Sequence, residues 1–504
     1  MRPIRGMPLL VAALVGITMY FVGLREAGAV PSFARKYQTS CQTCHTIYPV
    51  LNPFGEAFRR NGYRFPSQNG SVDSDAEKAP AIALGQEEYK KTFPDSVWPD
   101  KILEAVPLSI MLNGNLPINL PNSAAKDAAG NTFTWSGIIA EMHLYAAGAF
   151  NDSLTYMTQL TLESDVGSPP GTFDIETAYV LWNDIVGPRH LVNLWVGRLW
   201  APQLTSFGLH SSYLNDTVMP AVSVAGLYNP SASFTLGQGH TDGAELNGIA
   251  GHRFGYALGW VASSTATGLT MPNAEDVYAH IGVKSGGVAL DGEGKYGPNV
   301  PDPRKPWAEK SITLDLFGYH GIQRLDNGTG TLTGTTSASQ QDDRFNALGG
   351  VIHAQWDSLV LMAGAQLERH DRPYQGTAGT TVGTSIIPGV PDFTNATAVL
   401  QYDELDYVVF PWFVPGVRTE YTHATVEGSS AAQLLRIIPG IAMLARPNLK
   451  LVLTGDLEWG KNLPPAGVAA GAPTGWAPAG GYIVPTSVSK FEAEQINATV
   501  AVAF

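Results

Sequence analysis

Charge and cysteine are scarce in this sequence of 504 residues, and long apolar runs are absent beyond its first two dozen positions. Charged residues make up 15% of the chain, against about 25% in an ordinary soluble domain, so a cytosolic enzyme is a poor fit. Because a membrane helix needs about 18 apolar residues in a row, a polytopic helical membrane protein is excluded. The net charge of −13 repels a phosphate backbone, so we expect no nucleic-acid partner.

The first segment, residues 1–29, is typical of an export signal. Arg2 and Arg5 form a basic start, an apolar stretch follows, and Ala27-Gly28-Ala29 is a small-residue cleavage site. We expect the mature chain to begin at Val30, with an uncleaved N-terminal anchor as the alternative. Export leads to the bacterial envelope, which is an oxidising compartment.

The two cysteines lie three positions apart in the run Cys41-Gln42-Thr43-Cys44-His45. This C-x-x-C-H pattern is the attachment site of a c-type haem, in which both thiols form thioethers and the histidine becomes an axial iron ligand. A zinc site would need four ligands, but no further cysteine exists and the next histidine is His143. The pattern therefore predicts one covalent haem c on Cys41 and Cys44 with His45 on the iron; a dithiol or a disulfide is the alternative.

A short helix is expected after this motif. Asn52 suits its N-cap, Pro53 its first position and Gly62 its C-terminal end. Phe54 and Phe58 would share one face, either covering the haem plane or packing in an ordinary core. Nearby arginines either pair with haem propionates or form a solvated basic face: Arg35, Arg59 and Arg60.

The second axial ligand is not evident in the haem segment. Between His45 and residue 110 there is neither methionine nor histidine. Three alternatives follow: the iron is five-coordinate, its second axial ligand is a lysine or a tyrosine, or that ligand comes from the remainder of the chain. The first candidate there is Met111, and His143 and Met157 are the next ones.

From about residue 106 onward, runs of about ten residues alternate polar and apolar side chains between clusters of turn-forming residues. This alternation is typical of a transmembrane β-barrel, whose outward side chains meet lipid and whose inward side chains meet water. A set of soluble β-sandwiches is the alternative, but the outward positions carry leucine, valine, alanine and phenylalanine, and no linker divides the segments.

We count sixteen such segments, with fourteen and eighteen as alternatives. They begin near residues 106, 136, 154, 173, 191, 243, 253, 276, 311, 343, 359, 397, 412, 431, 449 and 490. Short and long connections alternate, as expected when one rim faces the periplasm, and only 286–310 and 427–430 break the alternation. Sixteen strands leave a water-filled lumen that residues 30–105 are the right size to plug, and parity turns Met111 inward.

The stretch from Pro31 to Tyr63 resembles the N-terminal cytochrome module of fused cytochrome-porin outer-membrane proteins, a family that includes iron oxidases. The matching elements are Phe33-Ala34-Arg35, the Cys41 to His45 haem site, Pro49, Leu51, Phe54-Gly55, Phe58 and Asn61-Gly62-Tyr63. Over the barrel, the likeness is limited to the layout and the aromatic last residue, Phe504. The resemblance implies haem attachment at Cys41 and Cys44 and a proximal ligand in His45.

Together these observations predict three parts: a signal peptide (1–29), a small α-helical c-type cytochrome domain (30–105) and an all-β transmembrane barrel (106–504) in the outer membrane of a Gram-negative bacterium. A haem inside the lumen would be reachable from both sides of a hydrocarbon layer about 25 Å thick. We therefore expect electron transfer between an extracellular donor or acceptor, such as Fe(II), and a periplasmic carrier. Whether the protein is an Fe(II)-oxidising enzyme is left open.

Two other functions are considered. One is a solute-conducting porin with a haem-containing gate or sensor domain, which the long barrel favours. The other is a soluble haem enzyme such as a peroxidase, which the absence of a distal histidine in the haem segment disfavours.

Overall fold

A computed structural model describes residues 32–33, 41–64, 108–119, 134–135, 139–150, 153–164, 172–199, 212–214, 222–223, 233–234, 241–262, 276–292, 305, 307–326, 340–371, 380–382, 385–387, 395–426, 431–446, 448–461 and 491–503. The export signal, Arg35, the boundary expected at residue 105 and Phe504 lie outside these ranges.

Sixteen long antiparallel strands form one sheet in chain order, and the last pairs with the first, where Ala503 lies opposite Met111. The strands are β1 (Leu108–Asn119), β2 (Ile139–Ala149), β3 (Leu154–Ser164), β4 (Thr172–Trp182), β5 (Asn193–Leu199), β6 (Thr241–Ala250), β7 (Phe254–Val261), β8 (Asp276–Gly286), β9 (Glu309–Asp326), β10 (Gln340–Asp357), β11 (Leu359–His370), β12 (Ala396–Tyr407), β13 (Phe413–Val426), β14 (Ala432–Arg446), β15 (Leu449–Lys461) and β16 (Phe491–Ala503). A two-residue strand, Thr134–Trp135, also pairs with the end of β1. Because the sheet closes, the barrel has no free strand edge.

Side chains alternate between the two faces of this barrel. In β11, Leu361 and Leu367 are exposed on the outside, whereas Met362 and Gln366 are buried on the inside. The outer surface is apolar along most strands, and such a surface is stable in hydrocarbon rather than in water. A closed antiparallel barrel with this surface is the architecture of Gram-negative outer-membrane proteins, which places the chain in that membrane.

The sixteen-strand prediction is confirmed, since every strand begins within three residues of its expected position. Short connections follow the even-numbered strands, the shortest being the single residue Ser358 between β10 and β11. Both expected exceptions are present, because the connection after β8 is long and the one after β13 is short. Among the described residues, no helix has the length and apolar character needed to cross a bilayer.

Helix α1 (Pro53–Arg60) begins as the sequence predicts. Asn52 is its N-cap, and the Oδ1 atom of this side chain accepts a hydrogen bond of 2.9 Å from the backbone N–H of Gly55. Pro53 occupies the first helical position, where a missing N–H costs nothing. Of the α-helical domain expected for residues 30–105, the described residues contain this helix and a 3-10 turn at Cys41–Thr43.

Helix α1 also ends where expected. Gly62 has a φ of +67°, the left-handed conformation that glycine adopts without strain. The N–H groups of Gly62 and Tyr63 donate to the carbonyls of Arg59 and Phe58, each at 3.0 Å. This pattern is a Schellman motif, which satisfies the last carbonyls of a helix and turns the chain away.

Candidate functional site

Residues 41–64 lie inside the barrel and contact opposite parts of its wall. On one side, the Tyr48 hydroxyl donates to the carbonyl of Ala501 at the end of β16. The same hydroxyl accepts a hydrogen bond of 3.3 Å from the backbone N–H of Lys450 in β15. Nearby, the backbone N–H of Ser32 donates to Ser109 Oγ of β1 at 2.8 Å.

The other side of this segment is held by its C-terminal end. The hydroxyls of Tyr63 and Tyr179 are 2.9 Å apart, and Tyr179 stacks in turn on Trp195, with ring centroids separated by 5.3 Å. Arg64 forms a salt bridge of 3.1 Å with Asp184 in the connection after β4. The segment therefore bridges the lumen from β15, β16 and β1 to β4 and β5.

A cavity of about 40 Å³ with a mixed polar and apolar lining separates α1 from a third part of the wall. On the helix side it is lined by Glu56, which pairs with Arg59 at 3.0 Å and with Arg60 at 3.2 Å. On the wall side, Lys284 and Glu309 pair at 2.7 Å. Arg59 and Arg60, two of the three arginines considered as propionate partners, are thus paired with a carboxylate of their own helix.

The motif residues Cys41, Cys44 and His45 are each partly exposed, although Thr46, Ile47 and Tyr48 directly after them are buried. The two thiols are not joined in a disulfide. Burial raises the pKa of Cys41, and raises that of Cys44 to about 12. Both thiols are therefore protonated at neutral pH, which is the opposite of the low thiol pKa that a reactive dithiol pair requires.

The orientation of the His45 ring is fixed by hydrogen bonding to the backbone of the segment, at Pro49 and Val50. Its Nδ1 atom is 3.2 Å from the carbonyl oxygen of Pro49, and because a carbonyl only accepts, Nδ1 carries the proton. Burial lowers the pKa of this imidazole to about 4, so the ring is neutral at physiological pH. A neutral ring protonated at Nδ1 has its lone pair on Nε2, the state in which histidine binds iron.

Helix α1 packs directly against the motif at Gly55. A Cβ atom at this position would lie 2.0 Å from the carbonyl oxygen of Cys44, so only glycine fits. That same carbonyl accepts a hydrogen bond of 2.9 Å from the backbone N–H of Asn52. The N-cap and the glycine together fix the motif against the helix.

These features fit a covalent c-type haem. The three residues that would hold it are partly exposed, the residues directly after them are buried, and the histidine is neutral with a hydrogen-bonded Nδ1. Within the described ranges, no group of three or more His, Cys, Asp or Glu side chains could hold a bare metal ion.

The candidates for the second axial ligand differ in their surroundings. Met111 is partly exposed and shares the inward face of β1 with Ser109, which is hydrogen-bonded to Ser32. His143 is buried, with Nδ1 2.8 Å from Thr161 Oγ1 and Nε2 3.3 Å from Glu141. Met157 packs against the hydrophobic core. Met111 is therefore the candidate whose side chain is least engaged, and its role as a ligand stays a prediction.

A ladder of charged side chains on the inner wall was missed by the sequence analysis. Arg418 of β13 is fully buried and pairs with Glu404 at 3.2 Å and with Glu420 at 2.6 Å. Arg436 of β14 continues the ladder by pairing with Glu420 at 2.8 Å. The alternation of strand residues marks these positions as inward, but the pairing follows only from the register between neighbouring strands.

Residues 212–214, within the long connection after β5, also reach into the lumen. The backbone N–H of Tyr213 donates to Glu404 Oε1 at 3.1 Å, and the Tyr213 side chain is hydrogen-bonded to Thr46, which directly follows the C-x-x-C-H motif. This connection therefore links the barrel wall to the residue that follows His45. No sequence pattern predicts that a connection folds inward.

No family model and no curated protein matches the chain. Among solved structures it is similar to OmpT, an outer membrane protein of Vibrio cholerae, with a TM-score of 0.44, 11% identity, and coverage of 79% of this chain and 98% of that one. An anion-selective porin from Comamonas acidovorans gives a TM-score of 0.43, 11% identity, and coverage of 79% and 98%. The outer membrane channel DcaP of Acinetobacter baumannii gives a TM-score of 0.41 and 10% identity, with coverage of 79% of this chain and 97% of that one. These similarities concern barrel shape alone.

Proposed function

We propose that this protein transfers electrons across the outer membrane through one haem c held inside its barrel, between an extracellular donor or acceptor and a periplasmic carrier. The observation that carries the proposal is the neutral imidazole of His45, oriented by the Pro49 carbonyl within a C-x-x-C-H motif.

Cys41 and Cys44 would hold the haem through thioethers, and His45 would bind its iron. The bound group supplies a one-electron Fe(III)/Fe(II) couple, which no side chain of the chain provides. The protein fixes the orientation of His45 through Pro49, and the packing of Gly55 on Cys44 fixes the motif. Such outer contacts set the basicity of the axial ligand and hence the potential.

The position of the haem segment along the barrel supports this function. Its contacts with the connections after even-numbered strands involve Asp184, after β4, and Asp291, after β8, and the rim that carries most of the short connections faces the periplasm in bacterial barrels. A carrier in the periplasm would therefore approach the segment from its own side. An extracellular partner would approach through the opposite half of the lumen.

A solute-conducting porin with a haem-containing gate is the second candidate. The wide barrel favours it, since sixteen strands leave room for an aqueous channel. Against it, residues 41–64 bridge the lumen by contacts on several sides, and Tyr213 adds a further link. A gate would have to break these contacts in order to open.

Purified protein in proteoliposomes separates the two candidates. An electron acceptor is trapped inside the vesicles and Fe(II) is added outside. We expect the absorbance of the haem to show that it becomes reduced, and the trapped acceptor to become reduced after it. The matched control is the Cys41→Ser/Cys44→Ser variant, which keeps the barrel and loses the covalent haem. Absence of electron transfer, together with large single-channel conductance at intact haem, would replace the proposal by the gated porin.

A further inference from the structure

A carboxylate lies on the lipid-facing side of strand β12. Side chains of this strand alternate strictly, so that Tyr402 and Glu404 are buried inside the barrel, whereas Gln401 and Asp403 point outward. The structure gives the Asp403 carboxylate a hydrogen bond from Gln401 Nε2 at 3.3 Å.

Asp403 lies well within the apolar band. Tyr407, four residues away on the same face, is exposed as an interfacial aromatic residue at the periplasmic end. At the other end of the strand, Thr397 lies beside the exposed Arg369 of β11. Four residues of a tilted strand rise about 10 Å, which puts Asp403 near the middle of a band about 25 Å tall.

The outward neighbours of Asp403 at this level are small or apolar. Its outward register partners are Ala363 on β11 and Thr419 on β13, and one strand further on each side they are Ile352 and Ile437. A carboxylate facing lipid at this depth is unfavourable, and ionisable groups inside membranes usually mark a functional contact. Contact with lipid alone therefore does not account for a carboxylate on this face.

We infer that the outer face of β11 to β13 is the contact between two copies of this chain, with Asp403 of each copy accepting a hydrogen bond from Thr419 of the other. The two residues are register partners on neighbouring strands, so the tilt of the strands separates their depths by only about 3 Å. A two-fold axis that runs along the membrane normal between β12 and β13 brings Asp403 of each copy opposite Thr419 of the other. Such mutual pairing is what an isologous contact requires.

The composition of the face supports a second barrel as its occupant. It contains both an acceptor, Asp403, and donors, Thr419 and Gln401, so it is complementary to itself. On β11 the outward positions beside Asp403 and Gln401 are Ala363 and Ala365. Small side chains let two backbones approach closely, so that polar side chains of the two copies can form hydrogen bonds with each other in place of contacts with lipid.

Cross-linking in native outer membranes tests this contact. Val417→Cys introduces a thiol at an exposed outward position of β13, two residues from Thr419, and leaves both contact residues in place. This variant of the full chain, treated with a short bis-maleimide, is expected to give a covalent dimer. The matched control is Val196→Cys, an exposed outward position on β5 at the far side of the barrel, which should stay monomeric. Equal cross-linking of both variants, or a product with the mass of a different partner, would overturn the inference.

Asp403→Leu provides a second measurement that does not depend on the introduced cysteine. It replaces a lipid-facing carboxylate by a lipid-compatible side chain, so the barrel should fold and keep its haem. We expect the association constant of the dimer in mild detergent to fall about tenfold, measured from the dimer fraction over a range of protein concentrations. An unchanged dimer fraction, or a monomeric starting protein, would refute the contact and leave the proposed electron transfer untouched.

Discussion

The Nδ1 atom of His45 donates a hydrogen bond to the carbonyl oxygen of Pro49, across a distance of 3.2 Å. Since that acceptor belongs to the backbone, the tautomer of the ring is set by the fold of the segment and not by a neighbouring side chain. Burial keeps the ring neutral. The chain thus presents Nε2 as a ligand before any iron is present, which is the preorganisation that a haem site requires.

Replacing either motif cysteine tests haem attachment. Cys41→Ser and Cys44→Ser should each weaken covalent attachment, and the double variant should abolish it, because each thiol contributes one thioether. Haem staining after denaturing electrophoresis measures this directly. Gln42→Ala, at a variable position of the same motif, is the control and should stain normally. Full staining of the double variant would refute the assignment.

Gly55→Ala tests the packing of α1 on the motif. The new methyl group would meet the Cys44 carbonyl at 2.0 Å, and since the obstacle is backbone, the helix must move. Overpacking of this kind costs about 1–3 kcal/mol. We expect reduced haem incorporation and easier proteolysis of the segment. Gly318→Ala, where a Cβ meets nothing within 4 Å, is the control and should behave as the native protein.

The barrel was largely predictable because its signal is periodic. Each strand must turn apolar side chains to lipid, so Leu449, Leu451 and Leu453 mark β15 without any knowledge of its partners. The caps of α1 were equally local, since Asn52 and Gly62 act on backbone groups within a few residues. Local rules of this kind need no information about the rest of the fold.

Long-range pairing was not predictable. The buried Arg418 depends on Glu404, which is fourteen positions away in sequence and on the neighbouring strand. Tyr213 reaches Glu404 over 191 positions, from a connection without periodicity. Strand alternation predicts that Asp403 faces outward, but its depth in the membrane could not be predicted, because that depth depends on how the closed barrel pairs its strands.

The contacts of Tyr63 and Arg64 with the barrel wall should hold the segment in place. Tyr63→Phe removes the hydroxyl bonded to Tyr179, and Arg64→Ala removes the salt bridge with Asp184. If these contacts keep the lumen closed, the double variant should show higher single-channel conductance than either single variant. Tyr156→Phe, on the outer face, serves as the control. Conductance equal to that of the native protein would mean that other contacts suffice.

Acid should loosen the segment in the haem-free Cys41→Ser/Cys44→Ser variant. The folded pKa of His45 is about 4, whereas its ordinary value is 6.5, so the unfolded segment binds the proton more readily. Stability contributed by the neutral ring is complete above pH 6.5, falls as the pH drops toward 4 and levels off below. The loss is on the order of 3 kcal/mol.

Hydrogen exchange of residues 46–64 across this pH range measures the effect. The same double-serine variant carrying His45→Gln lacks the titrating group, and its exchange should vary less with pH. If both forms respond equally to acid, the pH dependence belongs to other groups.

Met111→Ala decides whether the barrel wall completes the iron coordination. Met111 is partly exposed on the inward face of β1, whereas both ring nitrogens of His143 have hydrogen-bond partners and Met157, although also partly exposed, packs against the hydrophobic core. Loss of a thioether ligand should convert the spectrum from low spin to high spin and lower the midpoint potential, because methionine ligation raises it. Met443→Ala, on the outward face of β14, is the control. An unchanged low-spin spectrum would assign the ligand elsewhere, and the same substitution at Met157 and at His143 would then identify it.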